Sequence, residues 1–313
     1  MADARSGQPA SRHARENILV QFTYSFELIV ITLAAAIVNG ALGYGFSSIT
    51  VPLALLFLTN RVLNPALVPI EVGLNAYVLW VNRRGLSTVR RRLLPVAIGL
   101  APGVIIGTLI VAHVRPEWLK LGTFAMLLPL ILIQAGGYRR PIRHERSFGY
   151  PFGAGVGLLY SVTTISGPPL AVFLNNQGLA KQEFRAGLGF IRLAESTFTA
   201  VAYASAGLYT RESVALMPSI LPGLVVGVPL GAWLIRRIDA ETFRRVCMSF
   251  DAWVVGFGLS TLLQALHLVD GPAAYLVMLA VIAIDGVLLY RFFSGRHSAP
   301  PLGISRSLAQ ETK

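Results

Sequence analysis

Cysteine is almost absent from this chain: Cys247 is the only one among 313 residues. A single thiol excludes an internal disulfide and any metal site built from several cysteines. Charged residues are scarce as well, at 13% of the sequence, whereas a soluble domain usually carries about 25%. Because 54% of the residues are hydrophobic, the composition excludes an ordinary soluble domain and predicts a polytopic membrane protein.

Acidic residues are few relative to basic ones: 15 Asp and Glu stand against 27 Lys and Arg, a net charge of +12. In a soluble protein this excess would suggest nucleic acid, but in a membrane protein the positive-inside rule explains it. We therefore expect no nucleic-acid partner, and we expect membrane lipid with anionic head groups against a basic cytoplasmic face. The strongest cytoplasmic markers are the five arginines of residues 83–92, and the basic C-terminus is expected on the same side.

Histidine is rare too, and all five residues fall in tails, loops or the ends of predicted spans: His13, His113, His144, His267 and His297. Ile165-Ser166-Gly167 superficially resembles an intramembrane serine protease, but no histidine stands at matching depth to activate Ser166. The sequence contains no zinc motif. We therefore expect no enzyme, no metal and no cofactor.

The chain does contain a stretch rich in hydroxyl groups, residues 161–171, inside an otherwise apolar run. Its Gly167-Pro168-Pro169 cannot sit inside a continuous helix, because proline has no N–H and its ring clashes with the preceding turn. Proline suits the first turn of a new helix, with Ser166 as the N-cap residue. We expect a helix that begins at membrane depth and whose free N–H groups hold an anion.

A similar interruption occurs earlier, at residues 39–54. At an offset of 169 − 52 = 117 the two stretches match in Pro52 and Pro169, Ser47 and Thr164, and Gly40 and Gly157. Farther along, an offset of 222 − 102 = 120 matches Pro102-Gly103 with Pro222-Gly223, and Gly107 with Gly227. Two interrupted apolar segments at corresponding places in two halves indicate the substrate site of a secondary transporter.

These features predict an all-α, polytopic transmembrane protein with two inverted repeats, each with a broken or re-entrant helical hairpin. The hairpin arms are shorter than the ~20 residues that a full crossing needs. Two arms and three spans per half give an odd number of passes, so the second half is inverted and the N-terminus lies outside. The predicted units are a polar tail over 1–21, a first repeat over 22–135, a basic cytoplasmic linker over 136–149, a second repeat over 150–266, an extra C-terminal span over 267–293 and a cytoplasmic tail over 294–313.

Ionisable residues inside predicted spans are costly and are therefore candidates for function. Glu71, one turn before Asn75, is the candidate for proton coupling, and the alternative is that it ties two helices together. Arg192 and Glu195 lie three residues apart on one helix face. Arg192 therefore either binds an anion or forms a structural pair with Glu195.

Three further charges lie at the ends of predicted spans. Arg185 either anchors its helix at the membrane interface or contacts the substrate. For Asp251 and Asp285 we expect snorkelling to the interface or pairing with nearby arginines such as Arg291.

Three features together make the chain resemble the sulfite exporter TauE/SafE family. They are the glycine-rich turn Gly40–Pro52, Gly157 followed by Ser166-Gly167-Pro168-Pro169, and the later Phe184-Arg185. The resemblance extends over roughly Leu28–Leu266. It implies movement of small sulfur oxyanions or organosulfonates across the bacterial inner membrane, commonly outward.

We therefore predict a secondary transporter, working as an exporter, of a small sulfur-containing anion such as sulfite or sulfoacetate by alternating access. The alternatives are an anion channel for small oxyanions and a membrane-embedded enzyme, and a homodimer is left open. Glu71 is the proton-coupling candidate. The residues predicted to bind the anion surround two half-helix N-termini: Tyr44, Ser47, Ser48, Thr50, Thr163, Thr164, Ser166, Gly167, Arg185 and Arg192.

Overall fold

The computed structural model describes residues 9–136, 145–175, 177, 179 and 181–297, and every regular element among them is helical. This confirms the predicted all-α fold. The α-helices are α1 Pro9–Leu42, α2 Phe46–Ala54, α3 Asn60–Val81, α4 Leu86–His113, α5 Pro116–Ala135, α6 Glu145–Thr163, α7 Gly167–Asn175, α8 Lys181–Ser205, α9 Arg211–Leu234, α10 Ala240–Ala265 and α11 Leu276–His297. Two short 3₁₀ turns, Arg83–Gly85 and Gly271–Tyr275, lead into α4 and α11.

Six helical segments of the described part are long and apolar enough to cross a membrane: Asn60–Val81, Arg83–His113, Pro116–Ala135, Arg211–Leu234, Glu241–Ala265 and Gly271–Ser294. The chain is therefore a multi-pass membrane protein. Although α8 is 25 residues long, it is not among the six, because its sequence carries ionisable and hydroxyl side chains. Those side chains are buried where α8 packs on α3 and α4: Arg192, Glu195, Ser196 and Thr199.

Closely packed glycines join two helix pairs, α1 with α9 and α4 with α6. A Cβ atom added at Gly103 would lie 1.9 Å from the Ala154 carbonyl oxygen, and one at Gly223 would lie 2.5 Å from Thr32 Oγ1. Small residues let helix backbones approach this closely in membranes. Because Gly103 and Gly223 are matched positions of the sequence repeat, the repeat marks the same kind of helix contact in both halves.

Each hairpin is interrupted by three residues, Gly43–Gly45 between α1 and α2 and Thr164–Ser166 between α6 and α7. The first residue of each break has a left-handed backbone, with φ of 85° at Gly43 and 57° at Thr164. In both breaks its N–H donates to the carbonyl four residues earlier, and a nine-residue helix follows. The breaks correspond at an offset of 164 − 43 = 121, so the sequence overlay at 117 is wrong by about one helical turn.

The error arose from matching prolines that hold different positions. Pro52 lies inside α2, whereas Pro169 lies in the first turn of α7. A proline is tolerated at both positions for different reasons, so two matched prolines need not occupy equivalent positions in their helices.

Several predicted boundaries also differ from the observed ones. Helix α1 begins at Pro9, inside the predicted polar tail, and α6 begins at Glu145, inside the predicted linker. Helix α2 begins at Phe46, so the later part of the predicted interruption at residues 39–54 is helical. The arginines at 90–92, predicted as cytoplasmic markers, are exposed on the second turn of α4. Helical hydrogen bonding continues past the apolar runs on which the predictions relied.

The orientation of the chain stays a prediction. This applies to the inversion of the second half, to the sides on which the two termini lie, and to the division into two repeats and a linker. The linker arginines Arg139, Arg140 and Arg143 lie outside the described residues.

Candidate functional site

The first break presents backbone N–H groups at the start of α2. Gly45 is the N-cap residue, with φ 108°, and no side chain of the described part caps this helix. The first four N–H groups of an α-helix have no partner within the helix, and here they belong to Gly45, Phe46, Ser47 and Ser48. All four are present, so the start of α2 has the donors and the dipole that stabilise an anion.

The second break offers fewer donors. Ser166 precedes α7 as expected, and its carbonyl accepts from the Leu170 N–H at 3.1 Å. The predicted side-chain cap is wrong, because a cap hydroxyl accepts from the second or third helical residue, and these are Pro168 and Pro169, which have no N–H. The Ser166 hydroxyl instead donates to Glu195. Helix α7 thus keeps two of its four N-terminal donors, and it is the weaker anion site of the two.

The two threonines of the second break bond to its own backbone. Thr163 Oγ1 donates to the Leu159 carbonyl at 2.7 Å and accepts from the Ile165 N–H at 3.1 Å. Thr164 Oγ1 donates to the Thr163 carbonyl at 2.7 Å. A β-branched residue with positive φ is strained, and these bonds stabilise the strained turn. Both hydroxyl hydrogens would have to turn away from the backbone to reach an anion.

Glu71 is fully buried on α3 and has partners for both carboxylate oxygens. The Ser47 hydroxyl donates to Oε1, and the Tyr160 hydroxyl donates to Oε2 at 2.7 Å. Arg192 Nη2 lies 3.2 Å from Oε1. Because these partners come from α2, α6 and α8, Glu71 does tie helices together, which was the alternative to a proton role. Its proton role stays a prediction.

Glu195 occupies a comparable position at the second break. It accepts from Ser166, and its Oε1 lies 3.9 Å from Arg192 Nε, so Arg192 and Glu195 pair as their spacing predicted. Ser47, Glu71, Arg192, Glu195 and Ser166 form a continuous series of contacts from one break to the other, which we call the bridging network. With two carboxyl groups and one guanidinium, this buried network has more acidic than basic groups.

The bridging network is not fully satisfied. Arg192 Nε and Glu195 Oε2 are buried without a hydrogen-bond partner among the described residues. Unpaired polar atoms at this depth are costly.

A small cavity lies between the two breaks, α5 and α10. Its volume is about 20 Å³, enough for about one water molecule. Gly45 of the first break and Pro168, just after the second break, both line this cavity. The polar side chains that line it are Tyr44, Ser48, Gln134, Arg244 and Asp251. The Gln134 side-chain amide donates to the Tyr44 hydroxyl at 3.3 Å. We call this space the break cavity.

The remaining predicted site residues lie around the two breaks. Gly167 packs on the Tyr44 ring, because a Cβ atom at Gly167 would lie 3.2 Å from Tyr44 Cδ2. Arg185 is half-buried, and its Nε lies 4.0 Å from where a Cβ atom of Gly43 would stand. Thr50 is buried, and its hydroxyl has no partner in the described part.

The predicted residues thus divide into groups by position. Tyr44 and Ser48 line the break cavity, and Arg185 lies beside the first break. Ser47, Ser166 and Arg192 belong to the bridging network. The structure therefore separates residues that could touch an anion from residues that join the breaks.

Sequence reasoning missed what α5 and α10 add to this place. Arg244 was not predicted as a site residue, yet it is half-buried and lines the break cavity. Arg244 and Asp251 are seven residues apart and so share one face of α10. That spacing could have predicted that both side chains line one site. Asp285 pairs with an arginine, which was one of its two expected outcomes, and the partner is the buried Arg245 at 2.7 Å.

Comparison with known proteins identifies one family. The sequence model of the sulfite exporter TauE/SafE family matches residues 28–257, which is most of the chain. No curated protein and no solved structure matches the chain. With its multi-pass helical fold, the chain therefore belongs to the sulfite exporter TauE/SafE family of membrane transporters.

Proposed function

We propose that the protein carries a small sulfur-containing anion, such as sulfite or sulfoacetate, outward across the inner membrane by alternating access. The observation that carries this proposal is the break cavity, where the uncapped start of α2 meets the Arg244 guanidinium and the Tyr44 and Ser48 hydroxyls. An oxyanion accepts hydrogen bonds on every oxygen, and this place offers N–H and O–H donors together with one full positive charge.

The donors account for binding in physical terms. An anion that leaves water loses its hydrogen bonds to water, and the protein must replace them, or the desolvation cost prevents binding. Each hydrogen bond to a charged group contributes about 1.5–3 kcal/mol, and the dipole of α2 adds to the attraction at its N-terminus. The second break contributes mainly shape, since Pro168 lines the cavity without a donor.

The size of the break cavity favours a carrier over a channel. Its volume of about 20 Å³ holds about one water molecule, whereas an oxyanion such as sulfite has four heavy atoms. The hairpins must therefore move before the anion enters. Since the bridging network joins the first break to the second, displacement of one hairpin changes the contacts of the other.

Other parts of the prediction fit this proposal without carrying it. Arg185, half-buried beside Gly43, would supply a second positive charge near the first break. A cytoplasmic C-terminus, a bacterial inner-membrane location and a homodimer remain predictions. The proposal requires no cofactor and no metal.

Counterflow in proteoliposomes tests the proposal. Vesicles loaded with unlabelled sulfite should accumulate labelled sulfite transiently, and the initial rate should saturate with concentration. Arg244→Gln should abolish most of the uptake, whereas Arg237→Gln should keep it, because Arg237 is exposed and stacks on Trp233 at 4.3 Å. Sulfite flux that neither saturates nor shows counterflow would instead identify an anion channel.

A further inference from the structure

Asp251 is the buried acid that the proposed transport cycle leaves without a role. It is 7% exposed and lies in the wall of the break cavity. Among the described residues it has no hydrogen bond and no ion pair, whereas Glu71 has three partners, Glu195 has two and Asp285 is paired with Arg245. An unpaired carboxylate at membrane depth is costly, and such residues are candidates for function.

The groups around Asp251 limit what that function can be. Arg244 and Cys247 share its face of α10, and the first break contributes the Tyr44 hydroxyl. The α5 side contributes the uncharged Gln134, and the α7 side contributes Pro168. On α11, Asp285 is already bonded to Arg245. Among the described residues, Arg244 is therefore the one cation of the cavity wall, and on α10 it also bonds to Glu241.

The charge of Asp251 decides whether an anion can share the break cavity. When ionised, Asp251 repels a second anion and competes with it for Arg244, and the desolvated site strengthens both effects. When protonated, it is neutral and has an O–H to donate to an oxyanion. Such a bond adds one donor to those of α2 and Arg244.

We infer that Asp251 binds the proton that accompanies the anion, so that the break cavity takes up a sulfur oxyanion and a proton together. This inference rests on the proposed transport function and adds its coupling ion. It places that proton on α10 and not on Glu71, which is fully buried and whose oxygens are both bonded. The proton and the anion leave together when the cavity opens to the other side.

The linkage between proton binding and anion binding predicts how steeply the apparent Kd for the anion depends on pH. If only the protonated form binds the anion, the apparent Kd equals the intrinsic Kd divided by the protonated fraction. Above the pH at which half of Asp251 is protonated, the apparent Kd rises about tenfold for each pH unit. An asparagine at this position stays neutral at every pH, so this rise should vanish in Asp251→Asn.

Sulfite titrations of purified protein across roughly pH 5 to 9, a range above the ordinary carboxyl pKa of about 4, test the inference. Because sulfite itself changes protonation, the quantity to follow is the ratio of the Kd values of wild type and Asp251→Asn. We expect this ratio to climb about tenfold per pH unit at the alkaline end. Asp251→Ser is a second neutral variant in case Asp251→Asn is not monodisperse, and Asp270→Asn, in an exposed loop, is the matched control.

Each outcome is decisive. A constant ratio between wild type and both neutral variants would overturn the inference while leaving the transport function intact. Loss of the pH dependence in Glu71→Gln, with its retention in Asp251→Asn, would also overturn it and would assign the proton to the bridging network. If neither the wild type nor any variant binds sulfite, the proposed function itself fails for this anion.

Discussion

Replacing Arg192 by glutamine is the most informative perturbation of the bridging network. Arg192 is 3% exposed and lies 3.2 Å from Glu71 Oε1 and 3.9 Å from Glu195 Oε1. It is the only cation that the described structure places within ion-pair distance of these two acids. Arg192→Gln would therefore leave two fully buried carboxylates facing each other without a positive charge.

The expected cost follows from that geometry. Breaking a buried ion pair by removing one partner costs about 3–5 kcal/mol, because the remaining charge is buried and unpaired. A native protein is stable by only about 5–15 kcal/mol. Arg192→Gln should thus lower the free energy of unfolding by a large fraction, equivalent to roughly two to four orders of magnitude in the unfolding equilibrium.

Denaturant unfolding in detergent micelles measures this effect, with Arg237→Gln as the control for loss of an exposed arginine. The double variant Arg192→Gln with Glu195→Gln should regain about 1–3 kcal/mol relative to the single one, because one of the unpaired carboxylates is then gone. The reasoning is refuted if Arg192→Gln unfolds within about 0.5 kcal/mol of wild type, or if the second substitution destabilises the protein further.

Three more predictions follow from the packing, the site and the topology. Gly103→Ala should lower the free energy of unfolding by about 1–3 kcal/mol, because the new Cβ crowds the α4–α6 contact. Gly122→Ala should not, because no atom lies within 4 Å of its new Cβ. The thermal unfolding midpoints of the two variants test this prediction, and equal midpoints would contradict the packing argument. Ser48→Ala should weaken sulfite binding roughly tenfold or more. Thr163→Ala should not weaken it, since the Thr163 hydroxyl bonds to the backbone. A larger loss of sulfite affinity in Thr163→Ala than in Ser48→Ala would place the anion at the second break. In a Cys247→Ala background, a cysteine at Arg90 should resist an external thiol reagent and one within Gly207–Glu212 should react; external labelling at Arg90 contradicts the inverted repeat.

Much of the fold could be read from the sequence because it depends on local properties. Proline and glycine interrupt helices by their own backbone chemistry, so both breaks were found within a few residues. The apolar composition predicted a polytopic membrane protein, and the glycines matched at 103 and 223 prove to lie at two equivalent helix contacts. The overlay of the halves failed by a turn because residue identity at Pro52 and Pro169 is a poor guide to position within a helix.

The site was harder to predict because its side chains meet only in three dimensions. The spacing of Arg192 and Glu195 predicted their pairing, but nothing local indicated that Glu71 lies against the same arginine. Ser166 looked like an N-cap residue, yet the prolines that made it conspicuous also removed the N–H groups that it would cap. Arg244 and Asp251 could be placed at the cavity only once α10 was packed against the first break.

The most direct test of the account is a sulfite titration of the purified protein at acidic pH, comparing wild type, Arg244→Gln and Arg237→Gln. If the anion binds at the start of α2, Arg244→Gln removes a hydrogen bond to a charged group worth about 1.5–3 kcal/mol and should weaken binding about ten- to a hundredfold. Arg237→Gln should bind as wild type does. Unchanged affinity in Arg244→Gln would mean that the anion does not bind in the break cavity.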